Sequence, residues 1–362
     1  MAEPAPDLAL FRVLDEEGRA VGALPEIAPE KLLHLHRHMV LLRLVDERML
    51  VLQREGRVSF YGACTGQEAA TLASAAALEP EDWIFPALRE AGAMLLRGFD
   101  LVTYLCQIFG NSGDELKGRQ MPSHMASRRV NQVSWSSCIG SQLPQAVGAA
   151  LAMKLRGDRK VAVAYVGDGG TASADFHAAM NFAGVLEPPL VVICQNNHWA
   201  ISTPTARESG SATIAIKARA YGFPGLRVDG NDALAVYAAT RAAAERARGG
   251  GGPTFLELET YRIGAHSTSD DPRVYRDEAE VEAWRRRDPL ARLGAFLRAR
   301  GLLDEAAAAA ERAELEALVQ RSIREAEGLP PPGAESLLED VYARPPWQLA
   351  EQRGWLEPRR GH

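Results

Sequence analysis

Two stretches of this chain, VAVAYV at 161–166 and LVVIC at 190–194, are apolar throughout apart from the Tyr165 hydroxyl. Each is too short for a typical helix and lacks the alternation of a half-exposed strand, so each reads as a strand covered on both faces. Between them Phe176, Met180 and Ala183 recur at helical spacing, which makes the segment a strand, a helix and a second strand. Such a crossover is right-handed and brings both strand ends to the same side of a sheet, where α/β proteins bind their ligands. The chain leaves the first strand through Gly167, Asp168, Gly169 and Gly170, and the second through Gln195, Asn196 and Asn197. A hairpin at the Asp-Gly step would require a strand directly afterwards, and a helix follows instead.

Asp168 and Asn197, 29 positions apart, are therefore expected to face one site. Mg²⁺ takes about six oxygens, usually from one or two carboxylates, neutral oxygens and a phosphorylated ligand. If that ligand is a diphosphate, its own charge nearly balances the metal, and one Asp with one Asn amide oxygen suffices. Glycines fit the same chemistry, because without side chains their N–H groups can approach phosphate oxygens at a helix N-terminus.

The 362 residues, 46% hydrophobic and 24% charged, can bury a sizeable core as one large domain with appended arms. A net charge of -6, with no dense Lys/Arg cluster, argues against nucleic acid as partner. The N-terminus has no basic and apolar leader pattern and no window approaches a membrane span, so a cytoplasmic protein without membrane contact is expected. Three regions separate: an irregular arm over 1–26, an α/β domain over 27–290, and a helical extension over 291–362 in which the Ala/Glu/Arg-rich stretch 302–328 is expected to be an exposed helix. Cys64, Cys106, Cys138 and Cys194 form no CxxC pair and read as buried free thiols. His34 and His38 have a chelating spacing but no visible third ligand, and read as part of a surface helix. The stretch ARGGGGPTF, which superficially suggests a phosphate loop, reads as a turn before the strand TFLELE.

The pairing of GDG with NN resembles the diphosphate-binding signature of thiamin diphosphate enzymes. More of the chain joins it: FPALREAG, KGRQMPSH, SQLPQAVGAALAMK, GDGGTASADFHAAMNFAG, QNNHWAIST and YRIGAHSTSDDPRVYR, in that order, look like the E1 alpha subunits of 2-oxo acid dehydrogenase complexes. The resemblance implies a thiamin diphosphate-binding α/β fold, mostly parallel with helices on both faces. It implies Asp168 and Asn197 as side-chain ligands of Mg²⁺, with the Trp199 backbone oxygen as a third. Gly169 and Gly170 would touch the diphosphate and Arg89 would pair with it. His266 matches the histidine that contacts the diphosphate and aids acyl transfer to lipoyl-lysine, and Ser137 and Ile139 match positions lining the aminopyrimidine.

Departures from the family pattern are local. Leu88 stands where many relatives have Tyr, and Gln195 where some have Arg. Ser267 matches the serine phosphorylated in mitochondrial relatives. The cofactor needs a carboxylate at its pyrimidine, and this chain shows one α/β region only, so the resemblance implies a separate beta subunit in an alpha2beta2 heterotetramer and an E2 lipoyl acyltransferase as acceptor. For the substrate, KGRQMPSH and HSTSDD look more like branched-chain enzymes, with Phe60 and Leu88 as walls of an aliphatic pocket, while GDGGTASADF and QNNHWAISTP are also similar to pyruvate dehydrogenase alpha chains. A non-catalytic cofactor-binding or assembly subunit is the alternative from another class, against which Asp168, Asn197, Arg89 and His266 all stand intact. A nucleotide-binding regulator would need a GxxxxGK(S/T) loop, which is missing.

Overall fold

The structure is a computed structural model that describes residues 9–267 and 269–356. In chain order its first half contains β1 (Leu10–Phe11), α1 (Pro29–Arg54), α2 (Glu68–Ala76), β2 (Trp83–Phe85), α3 (Gly92–Leu96), α4 (Leu101–Phe109), α5 (Gln142–Arg156), β3 (Ala162–Gly167), α6 (Ala174–Leu186) and β4 (Leu190–Asn196). There follow β5 (Trp199–Ala200), β6 (Thr203–Pro204), β7 (Gly225–Asp229), α7 (Ala233–Arg248), β8 (Thr254–Glu259), α8 (Glu278–Arg285), α9 (Pro289–Ala299), α10 (Glu305–Glu327) and α11 (Trp347–Leu356). Six strands form a wholly parallel sheet in the order β1-β7-β8-β4-β3-β2, while β5 and β6 make a small separate hairpin.

The two apolar runs are its central strands, and they are buried on both faces for the reason their composition suggests. Ala162, Ala164 and Val166 of β3, with Leu190, Val192 and Cys194 of β4, pack against α5 and α6 through Ala146, Ala150, Phe176 and Ala183. The intervening residues Val163, Tyr165, Val191 and Ile193 point the other way and join Ala70, Ala73, Val236 and Ala243 of α2 and α7. Side chains alternate across a strand, so one continuous apolar run feeds two helical layers. The glycine-rich stretch after α7 is a turn leading into β8, as its composition indicated.

Residues 1–8 of the expected arm lie outside the described residues, and residues 9–26 are more ordered than an irregular arm. Leu10 and Phe11 pair in parallel with Arg227 and Val228 of β7, and Val13 and Leu14 are fully buried. A long-range contact decides this: the Asp232 carboxylate caps α7 through the N–H groups of Leu234 and Ala235 (both 3.1 Å) and accepts the N–H groups of Val13 (2.7 Å) and Leu14 (2.6 Å). Two residues are too few to show a strand period, so nothing local announces β1.

The C-terminal helix also departs from expectation. Helix α10 is not simply exposed; Leu315, Val319, Ile323 and Ala326 form a buried stripe that joins α1 and α4 in a second core with Leu44, Met49, Tyr104 and Ile108. Long Glu and Arg side chains between the stripe residues dilute the amphipathic signal. Cys138, in the loop before α5, is exposed, whereas Cys64, Cys106 and Cys194 are buried. His34 and His38 stack with centroids 4.1 Å apart, and no cluster of three or more His, Cys, Asp or Glu side chains suited to a metal exists among the described residues. Nor is any helix among them long and apolar enough to cross a membrane.

Arg292 of α9 ties arm, sheet and tail together. Its guanidinium, almost inaccessible, pairs with Asp229 at the end of β7 (3.0 Å), donates to the Asp15 carbonyl (2.7 Å) and holds the Leu14 carbonyl. Losing Arg292 would leave Asp229 only the more exposed Arg12 (3.1 Å) as ion-pair partner and remove the donors to the Asp15 and Leu14 carbonyls. Arg292→Met should therefore lower unfolding free energy by about 3 kcal/mol, read from the midpoint of urea unfolding at unchanged m-value.

Candidate functional site

A cavity of about 580 Å³ opens beyond the carboxyl ends of β3 and β4. The parallel register sets Gly167 beside Gln195, so the residues following the two strands emerge together. Asp168, Gly169 and Gly170 line the cavity on the β3 side, and Gln195, Asn197 and Trp199 on the β4 side. Leu88 and Arg89 close a second wall, Ile139 a third, and His266 comes from the loop after β8. Nine of the expected site residues thus share one cavity. Ser137 does not line it; it is exposed in a neighbouring cavity, its hydroxyl 2.7 Å from His124 Nε2. Phe60 also stands outside the wall, stacked behind Trp135 at 6.4 Å.

The glycines form a cradle that side chains would fill. A Cβ on Gly170 would lie 2.5 Å from Val166 Cγ2, and one on Gly169 would collide with Ala200 and sit 3.2 Å from a Glu208 carboxylate oxygen. They lie in a 3-10 turn over Gly169–Ala172 rather than in the first turn of α6, which begins after Ser173 caps it by accepting the Phe176 N–H (3.2 Å). One extra turn therefore separates the cradle from the helix.

Oxygen donors gather around it. The buried Asp168 carboxylate accepts the Thr205 hydroxyl at 2.6 Å, and burial raises its pKa. Asn197 donates its amide N–H to Gln67 (3.1 Å), which fixes its oxygen toward the Trp199 side, where that oxygen accepts the Trp199 N–H at 3.3 Å. The Trp199 carbonyl accepts from Arg262 at 3.1 Å. Gln195 Oε1 and Glu208 Oε2 are buried at the cavity without a hydrogen-bond partner. Glu208 is pushed up to about 7, first by burial and then by the nearby Asp168 charge.

Two buried guanidiniums stand near His266, Arg89 within the cavity lining and Arg262 outside it. Arg89, fully enclosed, holds the carbonyls of Ala63 and His266, the latter at 3.0 Å. Arg262 donates to the carbonyls of Trp199 and Ile201 (2.7 Å) and to the Tyr275 hydroxyl (2.8 Å), and its Nε has no partner. Both guanidiniums are thus met by neutral oxygens, not by carboxylates. Burial lowers both pKa values, Arg262 to about 10, with Arg89 as its next contributor. His266 lies between them, its Nδ1 3.4 Å from Arg262 and its N–H donated to Asp270 (2.7 Å). Burial, then Arg89 and Arg262, lowers its imidazole to about 4, so it is neutral at neutral pH.

A buried guanidinium, Arg89, in one cavity with a buried carboxylate and amide oxygens suits a ligand that is itself anionic and carries a cation. Glycines that leave room for backbone approach complete that fit. Sequence reasoning missed Trp135, Arg207 and Glu208, which line the cavity through contacts distant in sequence. It also missed Gln67, Thr205 and Arg262, which do not line the cavity but hold Asn197, Asp168 and His266.

A parallel α/β sheet with a charged cofactor site beyond its carboxyl edge defines the class of protein. The chain belongs to the dehydrogenase E1 component family, whose pattern matches residues 36–335. It is 43% identical to "2-oxoisovalerate dehydrogenase subunit alpha 2, mitochondrial" of Arabidopsis thaliana, over 94% of this chain and 73% of that one. It is 43% identical to "2-oxoisovalerate dehydrogenase subunit alpha" of Pseudomonas aeruginosa, over 97% and 88%. With "2-oxoisovalerate dehydrogenase subunit alpha, mitochondrial" of Homo sapiens identity is 40%, over 96% and 78%. The chain is accordingly an E1 alpha-type component of a thiamin diphosphate-dependent 2-oxo acid dehydrogenase.

Two outcomes follow from the site's geometry. Gly169→Ala should weaken thiamin diphosphate binding by at least about tenfold in calorimetric titration, since the cradle has no space for a methyl group without displacing Ala200. A base whose folded pKa lies below its unfolded value binds more protons when unfolded, so His266 should cost stability as pH falls from 6.5 through about 4. His266→Asn should flatten the pH dependence of the unfolding midpoint over that window in the cofactor-free chain.

Proposed function

We propose that this chain is the alpha subunit of a branched-chain 2-oxo acid dehydrogenase, acting on acids of the 3-methyl-2-oxobutanoate type with a beta subunit in an alpha2beta2 assembly and passing the acyl group to the lipoyl arm of an E2 acyltransferase. The observation that carries this is the apolar part of the cavity wall: Leu88, Trp135, Ile139 and Val166 stand beside the charged cofactor residues. The names of the relatives point to the same substrate class.

When bound, thiamin diphosphate supplies a nucleophilic carbon and an electron sink for decarboxylation. The side chains of Asp168 and Asn197 and the Trp199 carbonyl would hold Mg²⁺, with the diphosphate filling further positions. Gly169 and Gly170 would offer N–H groups to phosphate oxygens, and Arg89 would balance their charge without carboxylate competition. His266 turns Nδ1 toward Arg262, which leaves the ring proton of the neutral imidazole on Nε2. From there it would donate to an oxygen that develops charge in acyl transfer.

Glu90 lines the cavity but accepts the backbone N–H groups of Ala87 (2.7 Å) and Arg89 (3.2 Å). It is committed to the turn that presents Arg89, and the carboxylate needed at the aminopyrimidine would come from the beta subunit.

Asp168→Ala should abolish Mg²⁺-dependent thiamin diphosphate binding measured by calorimetry; tight binding in that variant would refute the ligand assignment. The substrate test is artificial-acceptor reduction by the chain purified with its beta partner. We expect kcat/KM for 3-methyl-2-oxobutanoate to exceed that for pyruvate by about tenfold or more, on the ordinary discrimination per methylene. Preference for pyruvate would overturn the substrate class, and activity on neither acid would favour a non-catalytic subunit.

A further inference from the structure

Behind the apolar wall lies a second cavity of about 400 Å³. Trp135 and its neighbour Ser136 line both, and the Trp135 indole is the only large side chain the two linings share. The ring is 7% exposed and gripped from two sides: the His124 ring stacks at 3.8 Å with planes 25° apart, and the Phe60 ring lies at 6.4 Å and 23°. His124 is itself tethered, with Nε2 2.7 Å from the Ser137 hydroxyl and Nδ1 3.1 Å from the Pro122 carbonyl. A buried indole stacked on a tethered histidine and in contact with a second ring has little freedom to swing aside.

The space behind it is lined by Gln120, Met121, His124 and Gln145 with three serines, and by no Asp, Glu, Lys or Arg. An aliphatic chain can extend into such a space without stripping water from a charge. On the near side the cavity keeps Leu88 and Ile139 beside Trp135. Phe60 does not reach the cavity, so its part is to position the indole.

We infer that Trp135 is the residue that limits the length of the 2-oxo acid side chain, and that the cavity behind it would admit straight, longer acids if the indole were removed. This rests on the proposed 2-oxo acid decarboxylation. It adds a specificity determinant that neither Phe60 nor Leu88 supplies alone.

The test uses the complete complex with its beta partner, carrying Trp135→Leu and, separately, Trp135→Ala. The parent should favour 3-methyl-2-oxobutanoate over 2-oxooctanoate, whose side chain is a straight six-carbon chain. In Trp135→Ala the ratio of kcat/KM values should move toward 2-oxooctanoate by about tenfold or more, the value of one well-placed methylene, mostly through a lower KM. Trp135→Leu, which keeps apolar volume in the wall, should shift the ratio in the same direction by a smaller factor, and it decides the matter if the Ala variant does not fold. An active parent whose ratio is unchanged in a folded variant overturns this inference alone. A parent complex that decarboxylates no 2-oxo acid overturns the proposed function and this inference with it.

Discussion

The in-register parallel pairing of β3 with β4 is the constraint from which the site follows. Every residue from Ala162 to Gly167 has its neighbour between Leu190 and Gln195. Because both strands are buried on both faces, a slip by one residue would turn each apolar set toward the wrong helical layer. Register is therefore held by two cores at once, and the loops carrying Asp168 and Asn197 are presented at one level. Precision at the edge that presents them is a consequence of packing far below it.

Charge is distributed over the site in a way that packing alone would not favour. Arg89 and Arg262 are buried among carbonyl oxygens, and Asp168 is buried opposite them with a hydroxyl partner. Enclosed charges that do not neutralise one another directly are costly, and a ligand bearing both a diphosphate and a divalent cation satisfies both sets. Burial first, and then the same field, lowers the His266 pKa and keeps its imidazole neutral. Electrostatics and acid–base state at this cavity are thus one property.

Aromatic stacking plays the corresponding part for the substrate side. Phe60, expected from the sequence to wall the pocket, stands outside the cavity against Trp135. A chain of rings from Phe60 through Trp135 to His124 turns the boundary of the cavity into a rigid plate. The shape of this part of the wall accordingly depends on a ring that stands outside the cavity.

What the sequence by itself determined was whatever depends on short-range pattern. Two uninterrupted apolar runs with a helical repeat between them required a parallel sheet covered on both faces, and the polar residues at their ends marked Asp168, Gly169, Gly170 and Asn197. The family resemblance added Arg89, Ile139, Trp199, Leu88 and His266, all of which line the cavity. Only the tertiary structure decided the rest. Edge strand β1 exists because Asp232, more than 200 residues away, accepts its neighbouring amides, and α10 is half-buried because α1 and α4 complete a core against it. Glu208, Arg207 and Trp135 line the site, and Ser137 and Phe60 stay outside it, through loop paths that no local period encodes. Backbone pattern is written locally because it follows from side-chain alternation and helical repeat, whereas a cavity wall is assembled from segments whose meeting depends on the whole fold.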